Sequence, residues 1–106
     1  MVPITSKHGA DIKIGEKIVI DSNKYLVTID NHKIDLTATE FKILKLLAQR
    51  IGWVYTRDQI LEYLWGHEKA VLGRSVDVHV KHLREKMGQY GDVIKNVRGI
   101  GYKLEI

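Results

Sequence analysis

Cysteine is absent from the 106 residues, which excludes disulfides and any thiolate metal site. Long apolar runs are missing as well, and nothing approaches the roughly 18 residues that span a bilayer as a helix. The opening "MVPITSKHGADIKIG" lacks the apolar core of a secretory signal. A single proline occurs, with no Pro/Ser-rich linker, repeat or low-complexity tract. These absences fit a cytoplasmic protein built as one domain, which at this length buries about 65% of its unfolded surface.

What is present is a globular balance of 44% hydrophobic and 28% charged residues, with a net charge of +4. A polyanionic partner is compatible with that charge, but its placement says more than its size. Residues 1–13 read as a leader or linker and 14–106 as the domain. "EKIVIDSNKYLVTIDNHKIDL" (16–36) is rich in β-branched residues and punctuated by Asp and Asn, whose side chains bond nearby backbone and favour turns. It predicts an antiparallel meander with strands near 17–21, 24–30 and 33–36, and a further strand at 12–14. The period then changes. "TATEFKILKLLAQRIG" opens with a capping box, Thr37 with Glu40, carries a stripe of Phe41, Leu44, Leu47, Ala48 and Ile51, and ends at Gly52. "TRDQILEYLWG" repeats the grammar with Thr56 and Gln59, a buried side of Ile60, Leu61, Leu64 and Trp65, and a stop at Gly66. "WVY" (53–55) is too short for more than a strand fragment, and 66–74 is a loop. A third helix spans about 74–87 and stops at Gly88. Last, "VIKNV" and "YKLEI" flank "RGIG" (98–101), where Gly99 and Gly101 permit the positive φ of a tight reversal. Tyr102, Leu104 and Ile106 alternate with Lys103 and Glu105, so one face of that strand is buried. Ile94 and Val97 share no single alternation.

In the third helix, Val76, Val80, Leu83 and Met87 share one face at about 100° per residue. Val78 stands about 200° from Val76, among Arg74, Ser75, Lys81, His82 and Glu85. Two readings of this valine stand side by side. It is an incidental exposed valine, which is common, or it meets the C5-methyl of thymine in a major groove, with Arg74, Ser75, Lys81 and His82 reaching phosphates or base edges. Arg98 at the hairpin tip is either a solvated arginine or a guanidinium on a projection slim enough for a minor groove about 6 Å wide. Two capped helices, a third with a basic outer face, and a basic-tipped hairpin together describe an α+β winged helix-turn-helix: an N-terminal antiparallel sheet, a three-helix bundle and a C-terminal β-hairpin wing.

The chain closely resembles the winged-helix effector domain of OmpR/PhoB-family response regulators over about residues 14–106. The resemblance rests on "LTATEFKILKLLAQRIGWVYTRDQILEYLWG", "RSVDVHVKHLREKM" and "VRGIGYKL", in that order and spacing. It implies transcriptional control through sequence-specific binding to direct-repeat promoter DNA, in two head-to-tail copies, after phosphorylation of a separate receiver domain. By motif position it makes 74–87 the recognition helix, with base contacts from Val78, His82 and Arg98. It gives phosphate contacts to Arg57, Trp65, Arg74, His79, Lys81, Arg84 and Asn96, and contact with RNA polymerase to loop 66–74. The helical wheel supports Arg74 and Lys81 independently, whereas His79 and Arg84 lie at the edge of the buried stripe. His82 departs from relatives that place a base-reading arginine there, so their target sequence does not transfer.

Other chemistries find little footing. His79 and His82 have helical metal-ligand spacing, but Asp77 points about 160° away from His79. Ser75 has no paired base on its helix face, and the glycines at 99 and 101 open no helix, so neither catalysis nor a phosphate loop is indicated. No metal or cofactor is expected. The rival reading is a winged helix used for protein–protein contact, which calls for an apolar face poor in lysine. No aspartate-rich phosphoacceptor unit precedes residue 14, so the chain is either part of a larger regulator, the favoured reading, or a short and atypical native protein. Target genes, kinase, and activation or repression are not legible in it.

Overall fold

The structure is a computed structural model that describes residues 11–65 and 74–106, with backbone only for Trp65, Arg74 and Ser75. Residues 1–10 of the expected leader and 66–73 of the expected polymerase loop lie outside the described residues.

The N-terminal meander has four strands, β1 (Asp11–Ile14), β2 (Ile18–Asp21), β3 (Leu26–Ile29) and β4 (His32–Ile34), each antiparallel to the next. β1 pairs Asp11 with Asp21, so the sheet takes in residues 11–13 of the expected leader. The turns follow the Asp/Asn chemistry. Asp21 Oδ1 accepts from the amides of Asn23 and Lys24, at 3.0 and 3.2 Å. Asp30 and Asn31, with φ of 53° and 68°, make the two-residue reversal between β3 and β4. Ile14, Ile18, Ile20, Val27 and Ile29 face the core, and Tyr25 stacks on Phe41 of the first helix at 4.6 Å.

That helix, α1 (Ala38–Gln49), starts as its capping box dictates. The Thr37 amide donates to Glu40 Oε1 at 2.9 Å, and the Glu40 amide to Thr37 Oγ1 at 3.1 Å. It is buried more widely than one stripe, because Ile43 and Leu46 are covered along with Phe41, Leu44, Leu47 and Ala48. The meander, the other helices and the last strand all pack on it. Ile51 is exposed, contrary to expectation, since α1 ends at Gln49. α2 (Arg57–Trp65) has its box too, Thr56 with Gln59, and buries Ile60 and Leu64. α3 (Arg74–Met87) buries Val76, Val80, Leu83 and Met87, and Gly88 turns the chain at φ +61°.

A short 3-10 helix, Gly88–Val93, leads into the wing. The wing is a three-stranded sheet in the order β5 (Tyr55–Thr56), β7 (Gly101–Leu104), β6 (Ile94–Val97). Of residues 53–55 only Tyr55 enters a strand, the two-residue fragment β5, which joins the wing to the start of α2. Gly101 has another reason for being glycine than the one expected. Only Gly99 has positive φ, +75°; a Cβ on Gly101 would stand 2.8 Å from Thr56 Cα, inside the β5 backbone. The uneven pattern of β6 follows from its pairing. Ile94 lies opposite Leu104 in the core, while Val97 lies opposite Gly101 at the turn. Ile106 is 72% exposed, beyond the end of β7, so the buried alternation stops at Leu104.

Candidate nucleic-acid interface

α3 buries one stripe and leaves the opposite side in water. Val78 is 48% exposed, and Lys81, His82 and Glu85 are exposed around it. Val78 is therefore no part of the core. His79 and Arg84 are half-buried at the edges of the stripe, as the wheel placed them. The side chains of Arg74 and Ser75, and that of Trp65 in α2, lie outside the described residues.

The wing turn is closed by the Ile100 amide donating to the Val97 carbonyl at 2.9 Å, with Gly99 at the position that needs positive φ. It holds Arg98 and Ile100 out in solvent, and Lys95 and Asn96 are exposed on β6.

Between α3 and the wing lies a polar cluster. Asp77 Oδ1 accepts from Arg57 Nε at 2.9 Å and from the Tyr102 hydroxyl at 2.5 Å. The Arg57 guanidinium lies 5.4 Å from the centre of the Tyr102 ring, and that of Arg84 lies 5.9 Å from it. Arg84 also donates, from Nε and Nη2, to the Ile94 carbonyl at 3.1 and 2.5 Å. Burial pulls the Asp77 carboxyl upward, but hydrogen bonds from Tyr102 and Arg57 and the Arg57 charge outweigh it and leave its pKa below the ordinary value. Burial, then the bond to Asp77, pushes the Tyr102 hydroxyl above its ordinary range. The bond to Asp77 raises Arg57.

The structure thus brings Val78, Lys81 and His82 onto one exposed face, and sets Asn96 and Arg98 on the exposed wing. It gives Arg57 and Arg84 internal partners as well. Sequence reasoning missed Asp77 and Tyr102. The only available signal is that a tyrosine at a buried strand position needs a partner for its hydroxyl, and the partner lies 25 residues away. Among the described residues, no three His, Asp or Glu side chains come together as a metal would require.

The family model described as "Transcriptional regulatory protein, C terminal" matches residues 31–104. The response regulator ArlR of Staphylococcus aureus is 41% identical over 89 residues, 82% of this chain and 41% of that protein. The chain therefore spans about two-fifths of the length of the curated relatives it matches. The DNA-binding domain of response regulator AdeR, solved in complex with an intercistronic region, superposes with a TM-score of 0.76 at 34% identity. The match covers 88% of this chain and 97% of that one. DrrB, an OmpR/PhoB homologue from Thermotoga maritima, gives a TM-score of 0.80 at 31% identity over 90% of this chain and 44% of that one.

Proposed function

The chain belongs to the OmpR/PhoB family of transcriptional regulators as its C-terminal, non-enzymatic DNA-binding domain, and from that premise we propose how it reads duplex DNA. α3 enters the major groove with Val78 against a thymine methyl and His82 at a neighbouring base edge. Arg98 enters the adjacent minor groove. Lys81, Arg74, His79, Asn96 and Trp65 face phosphates. Arg57 and Arg84 add positive potential there while bonded to Asp77 and Ile94. The observation that carries this reading is the exposed polar face of α3, with one valine at its centre, next to a wing tipped by arginine. A protein-docking use of that face is not favoured, since it is polar and carries lysine.

Two copies sit head-to-tail on direct-repeat half-sites about one helical turn apart. Segment 66–74 is the contact for RNA polymerase, a receiver domain elsewhere in the protein controls binding, and the protein works in the cytoplasm. Among the described residues no helix is long and apolar enough to cross a membrane. Selection of bound duplexes from a randomised pool tests the reading. A directly repeated motif with an A·T-rich flank on the wing side is expected, and Arg98→Ala should remove the flank preference. Inverted palindromes, or no enrichment, would refute it.

A further inference from the structure

Asp77 is an acidic residue on a helix that faces phosphates, and charge alone argues against it there. Its surroundings give it another purpose. One carboxylate oxygen holds the first residue of α2, Arg57, and the second residue of β7, Tyr102. Seven residues along α3, Arg84 holds the Ile94 carbonyl of β6 and faces the same Tyr102 ring. α3 therefore grips the wing at two points, two helical turns or about 10 Å apart along its axis. Ile94 and Leu104 seat the base of the wing in the core, and the two polar grips add directional contacts that fix its angle against α3. Tyr102 is 3% exposed, so it is beyond reach of a duplex laid on the surface.

Resting on the DNA-binding reading above, we propose that Asp77 and Tyr102 are positioning residues: they leave the DNA untouched and set the angle between α3 and the wing, so that major-groove and minor-groove contacts form together. This account and simple electrostatics predict opposite signs. Asp77→Asn deletes a negative charge and releases the Arg57 charge, which by electrostatics alone tightens binding to any duplex. If Asp77 positions the wing, the selected duplex is bound at least tenfold more weakly, while a random-sequence duplex is bound as tightly as before or more so.

Tyr102→Phe changes no charge, and it should weaken the selected duplex in the same direction. The double variant should bind no worse than the poorer single, because both remove one link. Cooperative thermal unfolding checks that each variant folds, and if Asp77→Asn does not, Tyr102→Phe carries the test. Unchanged or tighter binding of the selected duplex by a folded variant overturns the proposal. The free protein gives a separate readout. With no native cysteine, spin labels at Glu85→Cys and Lys95→Cys report the distance from α3 to the wing. A broader distribution in either variant supports the brace, and an unchanged one refutes it. If the unaltered chain selects no duplex, the DNA-binding reading fails, and the labels still judge the brace.

Discussion

With Val78 against a thymine methyl as proposed, its replacement by alanine should cost on the order of 1 kcal/mol of binding, the transfer value of a methylene or two. That loss should appear on the preferred duplex and shrink when uracil replaces the contacted thymine. The melting temperature should stay nearly fixed, because the side chain is already in solvent. A drop of many degrees would place Val78 in the core. In the proposed reading, His82 sets a different part of the code. A neutral imidazole offers one donor and one acceptor, whereas arginine offers a fork matched to guanine O6 and N7. His82→Arg should shift preference towards guanine at one position by about 1–3 kcal/mol, as read by parallel selections at one salt concentration. Identical preferences would show that residue 82 does not face bases. Both residues were legible in the sequence, because helical periodicity alone puts them outside the buried stripe. Asp77 was not, since its partners Arg57 and Tyr102 come from another helix and a strand far along the chain.

Among the elements, α1 and α3 share one buried carboxylate. Glu40 Oε1 accepts from the Thr37 amide at the start of α1 and from Lys86 Nζ, at 2.7 Å, in the last turn of α3. Burial of Glu40 raises its pKa, but Lys86 and the Thr37 amide outweigh that and hold it below the usual 4.5. A carboxyl depressed in the folded state stabilises fully above its unfolded pKa, and that contribution is lost as pH falls through the folded value. Stability should therefore decline as acid is added below about pH 4.5, and the decline should be shallower in Glu40→Gln, as followed by urea unfolding at a series of pH values. Equal slopes would remove Glu40 from the acid response. The capping boxes and amphipathic stripes were readable because their partners lie within one helical turn. The strand fragment near 53–55 was legible too, but not its pairing with β7, which no local pattern encodes. Gly101 was misassigned for the same reason: its constraint comes from β5.

Across the whole molecule, the net charge of +4 is modest, and the exposed cations beside the proposed groove contacts are Lys81 on α3 and Lys95 and Arg98 on the wing. Several phosphates are to be neutralised at a slope of about −0.9 each, so log affinity against log salt should fall with a slope nearer −5 than −1 in titrations of the selected duplex. A flat response would remove the phosphate contacts. The order of assembly is also written into the topology. The meander closes over turns of a few residues, so its contacts are local and fast to form. The pairing of Tyr55 with Tyr102 joins residues 47 positions apart and waits on the helices between them. The wing is therefore expected to dock last, and on that expectation Tyr102→Phe should speed unfolding while leaving the refolding rate nearly unchanged, as read from a chevron plot. The contacts that set the wing against α3 are thus the ones a chain completes late. The ability to hold a duplex is expected to arrive with the last step of folding and to be the first property lost as the chain opens.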